Sequence, residues 1–317
     1  MTKLDESAII KIFQRRFGNE KFISEDVEAF RIDGIKIVVK VDTLVQSTDI
    51  PPKMSLEDAA RKSIVACVSD FASKGVRPKF GIISLNMPKS VSRSEINGIS
   101  EGLKKASREF QIKILGGDTN EGKEFVFHVC MFGRSNRIVP RNGAKLGDSV
   151  FVTGPFGYTA AGLMILLFNK KGKREFVRKA VKSVSKPKPR LEFGLRCKRY
   201  FSSSMDSSDG LSRTLNEMAK QSDKKFVIDR IPSQMDLFGF ASKNKIDPMN
   251  LVFHGGEEYE FAFTVPKKHI QTVQKISSHL KTPIVEIGHV TNGSGVYIRK
   301  NNKSFRLKDL GWQHFRK

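Results

Sequence analysis

Apolar and polar positions change their period along the chain. The run IKIVVKV (35–41) is rich in β-branched residues and predicts a buried strand. From 55 to 73, Leu56, Ala59, Ala60, Ile64, Cys67, Val68 and Phe71 recur at helical spacing. Ser55, with Asp58 three residues later, predicts a capped start for that helix. GIISLNM (81–87) reads as a strand, 94–109 as a helix, and IKIL (112–115) and FVFHVCMF (125–132) as two strands. RNGAKLGD (141–148) reads as a junction. Beyond it come a strand SVFVTG (149–154), a helix TAAGLMILLF (159–168), and a helix from near Ser208 to about Ala219. A strand YEFAFTV (259–265), a helix 267–280, and strands IVEIGHV (284–290) and VYIR (296–299) complete the pattern. Strands and helices alternate throughout, which predicts an α/β or α+β class. The 317 residues suit two domains, expected over 1–140 and 141–317.

Composition narrows the class. With 39% hydrophobic and 28% charged residues, the chain carries enough apolar material for real cores. No apolar run approaches the ~20 residues of a membrane helix. The N-terminal MTKLDESAIIKIFQRRF (1–17) contains acids and no small-residue cleavage site, so a cytoplasmic protein without a membrane partner is expected. The net charge of +23 suits either nucleic acid or phosphorylated small molecules. Its densest stretch is 169–190, where Phe176, Val177, Ala180, Val181 and Val184 fall at helical spacing. That reads as a solvated basic helix, with polyanion contact as the alternative. No nucleic-acid-binding motif accompanies it, so a nucleic-acid partner is not expected. Cys67, Cys130 and Cys197 form no CxxC pair, and Cys67 and Cys130 read as small buried hydrophobes.

The candidate chemistry lies in aspartates placed at strand ends or beside glycines. Asp42 closes IKIVVKV, Asp118 follows IKIL in GGDTN (116–120), and Asp206 and Asp209 sit in MDSSDG (205–210). Asp70 falls at the edge of an apolar helical stripe, where a carboxylate is costly to bury unpaired. Carboxylates converging on one crevice are what a hard divalent cation needs, although any single one, Asp209 as a helix N-cap for instance, also has a structural reading. GPFG (154–157), between a strand and a helix, offers backbone N–H groups to a phosphate. There is no GxxxxGK[ST], no GxGxxG after a strand and no GxSxG elbow between a strand and a helix. The six histidines make no metal-ligand spacing; His254, beside GGEE, is the one nearest to a motif.

These motifs, in this order, resemble the thiamine-monophosphate kinases, of the aminoimidazole ribonucleotide synthetase superfamily. KVDTLVQSTDI (40–50) is similar to the family's strand-end aspartate segment, and CVSDFASKGVRP (67–78) to its NLSDLAAMGAxP helix. GGDTN is similar to GGDTT, RNGAKLGD to RSGAKPGD, and VTGPFGYTAAGL to VSGxLGxAAAGL. MDSSDGLSRTL is similar to MDISDGLxxDL, and GGEEYEFAFTVP (255–266) to GGEDYELLFTVP. IGHVTNGSGV and the tail GWQHF (311–315) extend the match over nearly the whole chain. The resemblance implies a two-domain fold: an N-terminal domain giving strands to a β-barrel in a homodimer, and a C-terminal α/β sandwich. It implies ATP-dependent phosphorylation of thiamine monophosphate to thiamine diphosphate.

The carried-over residues are these. Magnesium falls to Asp26, Asp42, Asp70, Asp118, Asp206 and Asp209, with Asp70, Asp42 and Asp118 as the catalytic set. ATP falls to Gly117, Asp118, Arg141 and Ser208; the phosphate acceptor falls to Glu257 or Glu258 and to Trp312, whose indole suits a cationic thiazolium. The chain departs from the family at VQSTDI, where Asp49 replaces the histidine of VEGVHF, at Cys67 for the asparagine of NLSD, and at GGEE for GGED. Asp49 is a candidate to face the thiazolium. EDVEAF (25–30) departs from DDxAV around Asp26. The alternatives are a related kinase or synthetase acting on another phosphorylated metabolite and, in a different class, a basic nucleic-acid-binding protein.

Overall fold

Ser55 caps the helix that organises the molecule: its hydroxyl accepts the Asp58 N–H at 3.1 Å. The computed structural model describes residues 5–19, 22–301 and 303–315. In chain order the first half contains α1 (Glu6–Arg16), β1 (Glu28–Ile32), β2 (Ile35–Val45), α2 (Gln46–Asp49), α3 (Leu56–Ser73), β3 (Pro78–Pro88), α4 (Arg93–Glu109), β4 (Lys113–Gly122) and β5 (Val126–Arg134). The second half contains β6 (Ser149–Thr153), α5 (Tyr158–Phe168), α6 (Arg174–Ser185), α7 (Leu191–Cys197), β7 (Ser203–Asp206), α8 (Leu211–Gln221), β8 (Lys225–Ile228) and α9 (Met235–Lys243). A π-helical turn, Asn250–His254, then leads to β9 (Phe261–Val265), α10 (Ile270–His279), β10 (Ile284–Thr291), β11 (Gly295–Lys300) and β12 (Lys303–Arg306).

The strands form two sheets. The first has the order β1-β2-β5-β3-β4, antiparallel except for the parallel β3–β4 pair, whose crossover is α4. The second has the order β12-β11-β8-β10-β6-β9-β7, with β8–β11 parallel. Along β5, Phe127, Val129 and Met131 face inward, the alternation a half-buried strand requires.

α3 lies between the sheets and is buried on most of its circumference. One core runs through it from Val38, Val129 and Met131 to the aromatic group Phe193, Phe201, Phe261 and Phe263 of the second half. A separate core fills the far side of the second sheet, around Leu211, Leu215, Phe226 and Val252. The seam between the two sheets is therefore lined by α3.

Several strands are longer than their apolar runs. β2 continues four residues past Val41, because its ladder with β5 holds to Val45↔Val126; Asp42 lies inside the strand. β4 continues to Gly122 because its parallel ladder with β3 runs to Pro88↔Gly122, so GGDTN is strand and not the loop after one. The helix expected from near Ser208 begins at Leu211 with Gly210 as its N-cap, so Asp209 does not cap it. Cys67 is buried, its thiol directed at the Val129 carbonyl. Cys130 is not: register places it with Val41 and Ile82 on the outer face of the first sheet. α6 is the basic amphipathic helix expected, resting on Phe176, Ala180 and Val184.

Candidate active site

Four positions along one i, i+4 ridge of α3 and its cap, Lys62, Ala66, Asp70 and Lys74, face the seam. Both lysines are fully buried and Asp70 nearly so. Asp206, the last residue of β7, and Asp26, ahead of β1, meet Asp70 there. One oxygen from each of Asp26, Asp70 and Asp206 lies within 4.8 Å of the others. Ser69 Oγ donates to Asp206 Oδ2 at 3.3 Å, and the Asp206 N–H to Asp26 Oδ2 at 3.4 Å.

Three cations surround this acidic group. Arg141 donates through Nε to Asp26 Oδ1 at 2.9 Å and through a second guanidinium nitrogen to the same oxygen. Lys74 Nζ stands 3.1 Å from Asp26 Oδ2 and 2.6 Å from Glu25 Oε2. Lys40 Nζ stands 2.7 Å from Asp70 Oδ2. Burial pushes the Asp26 carboxyl up, but Arg141 and Lys74 outweigh it and hold the group below the usual carboxylate range. Among the described residues Asp206 has no such partner; burial, with Asp70 and Asp26 beside it, pushes its carboxyl well up. Asp70 is raised by burial against the pull of Lys40.

A second cluster lies further along the same seam. Lys62 Nζ donates to Glu257 Oε1 at 2.5 Å and to the Asp49 carbonyl at 2.8 Å, so one buried ammonium ties α2 to the GGEE loop. Glu257 Oε2 is buried without a hydrogen-bond partner among the described residues. The Glu257 backbone is left-handed (φ 62°), a conformation uncommon outside glycine. Its N–H donates to the Ser208 carbonyl at 2.6 Å, and the Trp312 N–H donates to the Asp209 carbonyl at 2.8 Å. Gly256 permits this docking, since a Cβ there would stand 2.7 Å from the Ser208 carbonyl oxygen. The GGEE loop, the MDSSDG loop and the tail are thus held together by backbone bonds.

The donor chemistry suits a hard divalent cation. Every donor in the three-residue group is a carboxylate oxygen, and Ser207 Oγ, next in the chain to Asp206, is buried and unpartnered among the described residues.

Comparison with known proteins decides the family. The model for "AIR synthase related protein, N-terminal domain" matches residues 24–135, and that for the C-terminal domain matches 145–301. The chain is 63% identical over 316 residues to a thiamine-monophosphate kinase of Nitrosopumilus maritimus, covering all of both chains. The chain belongs to the thiamine-monophosphate kinase family. A second member, from Pyrococcus horikoshii, is 35% identical and covers 100% of this chain and 98% of its own. The solved structure of AaThiL complexed with AMPPCP and TMP superposes with a TM-score of 0.88 at 28% identity, covering 99% of this chain and 98% of that one.

Against that thiamine-monophosphate kinase framework, the residues singled out in the sequence divide into groups. Asp26, Asp70 and Asp206 converge. Asp42 lies on the same face of β2 as Lys40, and its carboxyl is raised by burial against the pull of Lys40. Asp209 is ion-paired with Arg213 at 3.1 Å. Asp118 is exposed on the edge strand β4, where it accepts a bond from Asn120. Gly117 adjoins it, with the Ile83 carbonyl 1.6 Å from where a Cβ would stand. Arg141 is bonded to Asp26 and Ser24. Ser208 is exposed, as is Trp312 at 57%. Asp49 Oδ2 accepts the Val45 N–H at 2.7 Å, closing the start of α2. Glu258 accepts the Gly157 N–H at 2.6 Å and the Thr159 hydroxyl at 3.1 Å, at the start of α5, so both its oxygens are occupied where Glu257 has one without a partner among the described residues. His254 pairs with Ser212.

Lys40, Lys62, Lys74 and Glu25 escaped the sequence reading. Their signal was present: Lys62 and Lys74 stand eight before and four after Asp70 on a helix, and Lys40 stands two before Asp42 on a strand.

Proposed function

We propose that this chain transfers the γ-phosphoryl group of ATP to thiamine monophosphate, giving ADP and thiamine diphosphate. The observation that carries the reading is the buried Asp26–Asp70–Asp206 group, in a chain 63% identical over its whole length to a thiamine-monophosphate kinase. The complex of a relative with AMPPCP and TMP supports both substrates.

A phosphate oxygen of thiamine monophosphate attacks the γ-phosphorus of ATP. The new O–P bond forms as the bond from that phosphorus to the bridging oxygen breaks, and ADP leaves. A phosphate monoester has a second pKa of about 6, so the attacking oxygen is already ionised at neutral pH. No general base is required, which agrees with the absence of a histidine from the acidic group. The protein then has to position the reactants and neutralise charge. Asp26, Asp70 and Asp206, with Asp42 and Asp209 completing the set, would hold magnesium, which when bound neutralises phosphate oxygens; Asp118, which its pairing with Ser84 places on the outer face of the first sheet, does not join that group within one chain.

Lys62 fixes Glu257 by one oxygen and leaves the other for the acceptor. The exposed Trp312 ring offers a face to a cationic thiazolium. We assign Gly117, Asp118, Arg141 and Ser208 to ATP, and Asp49, Glu257 and Trp312 to thiamine monophosphate. Glu258 we assign to the start of α5. The working unit is a homodimer joined through the outer faces of the first sheets, in the cytoplasm. No helix among the described residues is long and apolar enough to cross a membrane.

The test is coupled ADP release with thiamine monophosphate, with thiamine as the parallel acceptor. Thiamine monophosphate alone is expected to support turnover, and Asp70→Asn to lower it by about 10²-fold or more in a variant whose circular dichroism shows it folded at the assay temperature. Equal turnover with thiamine, or full turnover in Asp70→Asn, refutes the assignment.

A further inference from the structure

The alternation of β2 sets the argument. Val38, Lys40, Asp42 and Leu44 share one face of the strand, and buried Val38 and Leu44 show that this face looks inward. Lys40 therefore carries its ammonium into the seam and not into solvent, and meets Asp70 at 2.7 Å with its side chain 26% exposed. Burial works against the charge, but Asp70, Asp42 and Asp206 outweigh it and raise the Lys40 pKa above its ordinary value.

The other cations of the acidic group are committed elsewhere. Arg141 and Lys74 both take Asp26, and Lys74 also takes Glu25 and the Ser204 carbonyl. Among the described residues the Asp206 carboxylate receives only a serine hydroxyl. Lys40 is thus the sole side-chain cation within 4.0 Å of Asp70 among the described residues, and none is paired with Asp42 or Asp206. A monovalent ammonium thus stands beside Asp70, in the field of two further carboxylates.

We propose that Lys40 is a resident counter-ion of the site: it fills one cation position beside Asp70, so this chain binds one divalent ion fewer than its carboxylates alone would hold. The proposal rests on the reading of the site as a metal-dependent phosphotransferase site. An ammonium so placed adds fixed positive charge near the transferring phosphate and needs no exchange with solvent between turnovers.

The experiment counts Mn²⁺ bound per chain by equilibrium dialysis and electron paramagnetic resonance. It compares the full-length protein with Lys40→Ser, Lys40→Gln and Lys40→Arg. Lys40→Ser and Lys40→Gln are expected to bind one further Mn²⁺ per chain, or to tighten the existing binding by about tenfold or more, because an ammonium at contact distance repels a dication strongly at protein dielectric. Lys40→Arg, which keeps the charge, is expected to match the wild type. The glutamine variant preserves the length of the side chain, so the comparison stands should the serine variant fold poorly. Equal stoichiometry and affinity in wild type and in the neutral variants overturns the proposal. ADP release by the same wild-type preparation reports separately on the kinase reading. Turnover without an added ion in the neutral variants rejects the role of Lys40 alone. An added ion without turnover upholds Lys40 and rejects the kinase.

Discussion

Glu258 illustrates how burial and bonding contend at a single carboxyl. Its oxygens accept the Gly157 N–H and the Thr159 hydroxyl at the positive end of α5, which favours the carboxylate. Burial opposes this and wins, pushing the acid from its ordinary 4.5 up to about 8. Between those values the folded chain keeps a proton that the unfolded chain has released. The contribution to stability is therefore complete below about pH 4.5 and declines as pH rises through 8, by at most about 1.4 kcal/mol per unit for one proton. Glu258→Gln removes that proton while keeping an acceptor for Gly157 and a donor for Thr159. Urea unfolding of the variant is expected to lose less stability than the wild type between pH 5 and pH 8. A constant difference between the two across that range places the proton elsewhere. The same contention at Asp26 ends the other way, because two cations face it.

At the scale of elements, the parallel β3–β4 pair is the least forgiving part of the site. A Cβ at Gly117 would stand 1.6 Å from the Ile83 carbonyl oxygen, and the register already shifts between Gly81 and Ile82. The strands can approach each other only because position 117 has no side chain. Gly117→Ala is expected to lower stability by about 1–3 kcal/mol through overpacking. Because Asp118 is next in the strand, the same change should raise the KM for ATP more than that for thiamine monophosphate. A calorimetric melt with paired KM measurements checks both, and a variant with the wild-type melting temperature excludes the clash. α3 is the other decisive element. It presents Asp70 to one sheet's strands and carries Lys62 toward the loops of the other, so the site assembles only when both sheets pack on it.

On the scale of the whole molecule, the first sheet is unequally covered. α3 packs on one face. The opposite face exposes Phe30, Ile35, Val41, Ile82 and Leu115, and across three strands Val41, Cys130 and Ile82 stand in one row. Val41 is 62% exposed, an unusual environment for valine in a strand. A two-fold pairing of this face with a second copy would bury it. Val41→Lys combined with Ile82→Lys is expected to turn a dimer into a monomer in light scattering after gel filtration, and a monomeric wild type at micromolar concentration would refute the pairing. With a net charge of +23 on each chain, the dimer should also tighten as salt screens the repulsion between copies.

Much of this was legible in the chain, because some signals are local. Periodicity found the central helix with its cap, most strands of both sheets, and the basic helix, since each depends on residues within a few positions of one another. It lost α1, β1, α2, α7, β7, β8, α9 and β12, most of them short, and it ended β2 and β4 too early, where polar residues continue a ladder that only the partner strand sustains. Motif order identified the family and marked Asp26, Asp70 and Asp206 before any coordinates. Their convergence to within 4.8 Å was decided by tertiary structure, as were the pairing of Lys40 with Asp70 and of Lys62 with Glu257. Sequence determines which charges the chain carries and which face of an element each occupies. Which charges meet, and so which keep their protons, depends on partners that lie 30 to 195 positions away in Lys40–Asp70 and Lys62–Glu257, and on the water excluded when the two sheets close on α3.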